Sequence, residues 1–106
     1  MESNTLWVYP RAVSIAQIRY FVAVAEEGHL GRAAERLHVS QPPLTRQIQS
    51  LEQELGVPLF ERTPRGMRLL ASGEALLVRA RRILAEIDEA IVAFRGAPPV
   101  WRAPSS

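Results

Sequence analysis

From Ala71 to Arg95 the sequence runs without a proline and with a single glycine, Gly73. Read as one helix, that stretch is about 37 Å long at 1.5 Å per residue. Its apolar residues Leu76, Ala80, Ile83, Ile87, Ile91 and Phe94 recur at spacings of four, three, four, four and three, and Leu77 and Leu84 widen the stripe. The chain has 106 residues, so what precedes this segment is one small domain of about 55 residues. Such a domain cannot cover the helix along its whole length. The far end, around Ile87 to Phe94, needs another partner, and a second copy of the same helix is the simplest one, because a two-fold pairing lets the same patch serve both chains. The alternative occupant is a further domain of a longer protein.

Upstream, the helix start and stop signals are closely spaced. Val13-Ser14-Ile15-Ala16-Gln17-Ile18 carries a capping box between Ser14 and Gln17, with Val13 and Ile18 placed as a hydrophobic staple around it. Ile18, Phe21, Val22 and Ala25 follow on one helical face, and Gly28 ends the element. A second, short helix is expected from about Gly31 to Leu37, with Ala33, Ala34 and Leu37 inward, and His38-Val39 makes a tight turn. Ser40 opens a third helix, 40–55, whose apolar positions Leu44, Ile48, Leu51 and Leu55 form one buried stripe. Leu55-Gly56-Val57-Pro58 closes it. Leu59–Arg62 and Met67–Leu70 read as the strands of a small hairpin, and Thr63-Pro64-Arg65-Gly66 suits a type I turn.

Helix, tight turn, helix, hairpin is the order of a winged helix-turn-helix. The expected fold is therefore mainly α: three helices plus a short β-hairpin wing over 14–70, followed by a long dimerisation linker helix over 71–95. Residues 1–13 form an N-terminal extension and 96–106 a flexible tail, opened by Gly96-Ala97-Pro98-Pro99.

The chemistry lies on the face of the third helix opposite its apolar stripe. Gln41, Thr45 and Gln49 repeat every four residues, flanked by Pro42 and Arg46. Short or forked hydrogen-bonding groups at the N-terminal half of such a helix reach base edges in the major groove. Glutamine pairs with adenine, arginine with guanine, and threonine or proline offers apolar contact to the thymine methyl. Glu52 and Glu54 stand only at the far end, where they need not meet phosphate. Ser40 at the N-cap faces Pro42 and Pro43, which lack the N–H groups a cap normally binds. Its hydroxyl, or the Gln41 amide, is thereby available to a backbone phosphate.

The net charge of +2 would not by itself suggest DNA, but its distribution is compatible with it. All basic residues, thirteen in number, are arginine, whose planar fork suits phosphate and guanine. Residues 32–68, which hold the motif, sum to +2, whereas 1–31 sum to −1 and 71–95 to zero. With no cysteine, disulfides and thiolate chemistry are excluded. His29 and His38, the two histidines, have no carboxylate at ligand spacing, so no metal and no cofactor is expected. No nucleophile–base–acid set or phosphate loop is evident, and the chain is not expected to be an enzyme. No apolar run approaches the roughly 18 residues of a membrane span, and the opening MESNTLWVYPR does not read as a signal peptide. The expected location is the cytoplasm. The rival class is a protein-interaction module, but the exposed face of the third helix carries Gln41, Thr45, Arg46 and Gln49 where a protein-binding face would carry aromatic or leucine anchors.

The run Ala33-Ala34…Leu37-His38-Val39-Ser40-Gln41-Pro42-Pro43-Leu44-Thr45-Arg46-Gln47-Ile48…Leu51-Glu52…Leu55-Gly56…Leu59-Phe60-Glu61-Arg62 resembles the N-terminal domain of LysR-type transcriptional regulators, and the likeness spans about 14–95. The resemblance implies sequence-specific binding of a dimer to double-stranded promoter DNA at partly palindromic sites, with tetramers in a full-length parent. In that family a C-terminal domain senses a small-molecule effector. No such domain is expected within this chain, which reads as a fragment or a truncated relative; an effector is a partner only if that domain exists. Carried over by position, Gln41, Pro42, Thr45 and Arg46 match base-reading residues, and Arg65 matches a wing residue that enters the minor groove. Arg32, Gln47, Gln49 and Arg62 match contacts to phosphate or interactions that support the wing. The full expected DNA-contacting set is Arg32, Ser40, Gln41, Pro42, Pro43, Thr45, Arg46, Gln49, Arg62 and Arg65. Two positions depart from the family pattern. Gly31 replaces a hydroxyl residue that commonly caps the second helix and touches phosphate. Leu70 replaces a capping threonine, so Ser72 is expected to start the long helix.

Overall fold

A computed structural model describes residues 13–96; the extension through residue 12 and the tail from 97 lie outside the described residues. Helix α1 (Ile15–Glu27) begins as its sequence dictates. The Gln17 amide donates to Ser14 Oγ and the Ser14 amide to Gln17 Oε1, both at 3.1 Å, which satisfies two backbone donors reciprocally. Val13 packs partly buried against the core, as a staple requires. Gly28 ends α1 in the left-handed region, at φ 68°. Helix α2 (Leu30–Leu37) starts one residue earlier than its periodicity suggests, because His29 caps it. Helix α3 (Gln41–Leu55) follows the left-handed His38, at φ 59°, and its N-cap Ser40 makes no side-chain capping bond. That is the consequence of Pro42 and Pro43 occupying the positions whose amides a cap would bind.

The hairpin pairs β1 (Phe60–Thr63) with β2 (Gly66–Leu69) antiparallel, Phe60 opposite Leu69 and Thr63 opposite Gly66. Both strands are displaced by one residue toward the tip from the expected spans. The Leu70 amide donates to the Leu59 carbonyl at 2.9 Å, which carries the pairing one residue beyond the strands. Pro64 and Arg65 form the tip. Thr63 Oγ1 fastens it, donating to the Gly66 carbonyl at 3.0 Å and accepting from the Arg65 amide at 3.2 Å. Helix α4 (Ala71–Gly96) starts at Ala71, ahead of Ser72. Ser72 is thus not the cap expected of it, and its hydroxyl donates to the Pro58 carbonyl.

The core lies where α1 meets α2, α3, the wing and the first half of α4. Phe21, Val24, Leu44, Leu51 and Leu59 are fully buried, and the Phe21 and Phe60 rings meet at 5.5 Å and a tilt of 52°. Ala33 and Ala34, both buried, let α2 approach α3 closely. The apolar stripe of α3 is correct through Leu51 but not at its end. Leu55 is 43% exposed, because it stands in the last turn, beyond the elements that cover Leu44, Ile48 and Leu51.

Candidate nucleic-acid interface

The exposed half of α3 divides into two flanks. Gln41, Thr45 and Gln49 face the wing. Gln41 lines a cleft of about 300 Å³ with His29, Gly31, Arg62 and Arg65. Thr45 and Gln49 line a smaller one with Ile48, Glu52, Phe60 and Arg62. Pro42 and Arg46, one turn apart on α3, are exposed, as are Ser40 at its N-cap and Arg32 at the start of α2. Pro43 and Thr45 are half-buried, so their reach is shorter than that of Gln41, Arg46 and Gln49. Eight of the expected residues thus lie on α3, at its N-cap or in the clefts it shares with the wing, and Arg32 is exposed in the first turn of α2. The tenth, Arg65, stands at the wing tip and shares the larger cleft with Gln41.

Several groups that hold this surface in place escaped the sequence reading. The Glu52 carboxylate accepts from the amides of Leu59 at 2.7 Å and Phe60 at 3.2 Å. It thus satisfies two donors where the wing begins, and it fixes β1 to α3. The signal was available: Pro58 ends the preceding turn and leaves the next amides in need of an acceptor. Gln47, carried over as a phosphate or wing contact, instead points inward. Its Oε1 accepts from Nε2 of the buried Gln17 at 2.9 Å, which ties α3 to the first turn of α1. His29 Nδ1 accepts from the Arg32 amide at 3.3 Å and supplies the cap that Gly31 cannot.

Four of the described arginines are paired with carboxylates. Arg36 binds Glu26 at 2.8 Å and Glu27 at 3.2 Å, Arg81 binds Glu26 at 3.0 Å, Arg19 lies 3.6 Å from Asp88, and Arg68 pairs with Glu61 across the wing. These pairs brace α1 against α2 and α4, and β1 against β2. Hydrogen bonding to Arg36, helped by Arg81, holds the Glu26 carboxyl below the usual glutamate range. Among the described residues, Arg32, Arg46, Arg62 and Arg65 form no salt bridge. They leave their donors to whatever meets the surface. No group of three or more possible metal ligands occurs among the described residues. No helix among them is long and apolar enough to cross a membrane.

The long helix divides at its middle. Ala80 is fully buried, and Leu76, Leu77 and Leu84 pack against the same core. Ala80 was expected at a dimer interface, but its own chain covers it completely and it has no surface to offer. Beyond it, Ile83, Ile91 and Phe94 are exposed at 44%, 41% and 53%, and Ile87 is half-buried.

Residues 15–74 match the family model described as bacterial regulatory helix-turn-helix protein, lysR family. The HTH-type transcriptional regulator ClcR of Pseudomonas putida is 68% identical over 68 residues, 64% of this chain and 23% of ClcR. The chain spans about a quarter of the length of ClcR and of the TfdS regulator of Cupriavidus pinatubonensis. Among solved structures, a complex of the CbnR DNA-binding domain with DNA superposes with a TM-score of 0.76 at 50% identity, covering 82% of this chain and all of that one. The BenM DNA-binding domain bound to catB site 1 DNA gives 0.72 at 40% identity, covering 74% of this chain and 89% of that one.

Proposed function

The chain belongs to the LysR family of bacterial helix-turn-helix regulators, and from that premise we propose that it binds double-stranded promoter DNA in a sequence-specific manner. Helix α3 enters the major groove and the wing meets the flanking minor groove. Gln41, Pro42, Thr45, Arg46 and Gln49 read or contact bases. Ser40, Pro43, Arg32 and Arg62 meet or approach the backbone, and Arg65 enters the minor groove. The observation that carries this reading is the sorting of the arginines. Arg32 at the start of α2, Arg46 on α3, and Arg62 and Arg65 on the wing lack carboxylate partners, while Arg19, Arg36, Arg68 and Arg81 have them. An arginine without a carboxylate partner has no ion pair to break before it meets phosphate, and each phosphate it neutralises steepens the salt dependence of binding. A salt titration against random and selected duplexes tests the proposal. Affinity that falls steeply with salt on both, and is higher on the selected duplex, supports it. Binding insensitive to salt and to sequence sinks it.

The active form in this reading is a homodimer joined through the distal half of α4, by Ile83, Ile87, Ile91 and Phe94, with Leu76 and Leu84 serving chiefly the chain's own core. Exposed apolar side chains at this spacing favour burial against a matching helix. The chain acts in the cytoplasm without catalysis of its own, and responds to a small molecule only if joined to an effector domain.

A further inference from the structure

The cleft between α2, the start of α3 and the wing contains a polar side chain with no part in the reading above. His29 caps α2, its Nδ1 accepting from the Arg32 amide. A nitrogen that accepts carries no proton, so the neutral ring carries it on Nε2. The Nε2–H bond points away from the capped amide, because the two ring nitrogens face in diverging directions. The ring lies over Gly31. A β-carbon at that position would stand 3.0 Å from His29 Cε1, 3.2 Å from Nδ1 and 3.3 Å from Gln41 Nε2. The missing side chain is what lets the imidazole and the Gln41 amide share this spot. The His29 side chain is exposed, and the cleft it lines includes Arg62 and Arg65 but no carboxylate.

We propose that His29 is a further DNA-positioning residue, its Nε2–H donating to a backbone phosphate. The proposal rests on the DNA-binding reading. A strand that passes from the major groove at α3 to the minor groove at the wing carries its sugar–phosphate backbone across this cleft, between Gln41 and Arg65. One ring then serves both ends: Nδ1 holds the first turn of α2 and Nε2 holds the DNA. Because the capping bond fixes the ring, the donor is oriented before DNA arrives. The imidazole is a neutral donor, so its contact adds a hydrogen bond to an anion without displacing a counterion. Losing it lowers affinity on every sequence and leaves the salt slope unchanged.

His29→Ser tests this, because serine is itself a strong N-cap and is too short to cross the cleft. His29→Asn, a second capping residue, runs alongside it so that a folding defect peculiar to serine decides nothing. The full chain is titrated with random duplex and with a duplex recovered by selection from a randomised pool. Both variants are expected to melt as the wild type does and to lose about tenfold in affinity on both duplexes with an unchanged salt slope. Single methylphosphonate replacements along the selected duplex should locate one phosphate, between the major-groove and wing contacts, that matters to the wild type and not to the variants. Variants that bind with wild-type affinity, or that respond to every methylphosphonate as the wild type does, overturn the role of His29 and leave DNA binding standing. A wild-type chain that binds neither duplex overturns both.

Discussion

The Met67 amide donates to the Gly28 carbonyl at 3.1 Å, so the second strand of the wing hangs from the turn between α1 and α2. Gly66 makes the approach possible. It sits at φ 138°, and a β-carbon there would run into that same Gly28 carbonyl. The obstacle is backbone, which cannot swing aside as a side chain would. Gly66→Ala is therefore expected to destabilise the domain by about 1–3 kcal/mol and to raise amide exchange at Met67. A melting temperature and Met67 protection equal to wild type would show that the wing does not depend on this seat.

Arg46 and Arg65 are both exposed, but they stand on different elements, and their removal should be separable. Arg46→Ala is expected to weaken the preferred site by roughly 1–3 kcal/mol while changing random-duplex binding less. Arg65→Ala should flatten the preference for narrow, A·T-rich flanking sequence and leave the central positions intact. Selection of bound sequences with each variant reads both effects at once. Equal loss on specific and random DNA would reduce Arg46 to a phosphate contact, and unchanged flanking preference would remove the wing from readout.

Acid should loosen the brace that ties α1 to α2 and α4. Glu26 joins Arg36 on α2 to Arg81 on α4, and its folded-state pKa is lowered, first by hydrogen bonding to Arg36. A depressed pKa contributes stability that is present above the unfolded value and is lost as pH falls through the folded value. The window thus opens below about 4.5. Since the pairs are partly solvated, each contributes no more than about 1 kcal/mol. Thermal melts from neutral pH downward should show a loss in this window that Glu26→Gln removes, the variant being less stable at neutral pH and less sensitive to acid. Parallel pH profiles for the two proteins would rule the linkage out.

What could be read from the chain alone was local or periodic. The Ser14–Gln17 box spans three residues, and the stripe Leu44-Ile48-Leu51 follows from helical period, so both stand in the structure as expected. Periodicity says which way a side chain points but not what covers it. Leu55 continues the stripe and finds no neighbour, whereas Ala80 continues the α4 stripe and is buried by its own chain. The contacts that aim the site join residues distant in sequence: Glu52 to the wing amides, Gln17 to Gln47, Gly28 to Met67. Each involves an ordinary polar group whose partner is set by folding. The cap at His29 is of the same sort, since its Nδ1 meets the Arg32 amide only once the turn after α1 has formed.

The division of α4 at Ala80 locates the residues on which assembly depends. Ile87 is half-buried in the isolated chain, whereas Ile91 is 41% exposed and lies a turn farther from the core. Ile91→Glu should therefore leave the fold unharmed while placing a charge in any interface formed there. Burying an isoleucine of this kind contributes about 1.5–3 kcal/mol, and a two-fold pairing counts each substitution twice. The variant is expected to sediment as a monomer at micromolar concentration where the wild type sediments as a dimer. It should keep weak, salt-dependent binding to random DNA through α3 and the wing, and lose tight binding to a two-half-site duplex, because only a dimer holds two recognition helices at the spacing of successive half-sites. If the wild type stays monomeric across that range without DNA, the exposed stripe belongs to another domain of a longer protein, and the homodimer must be abandoned.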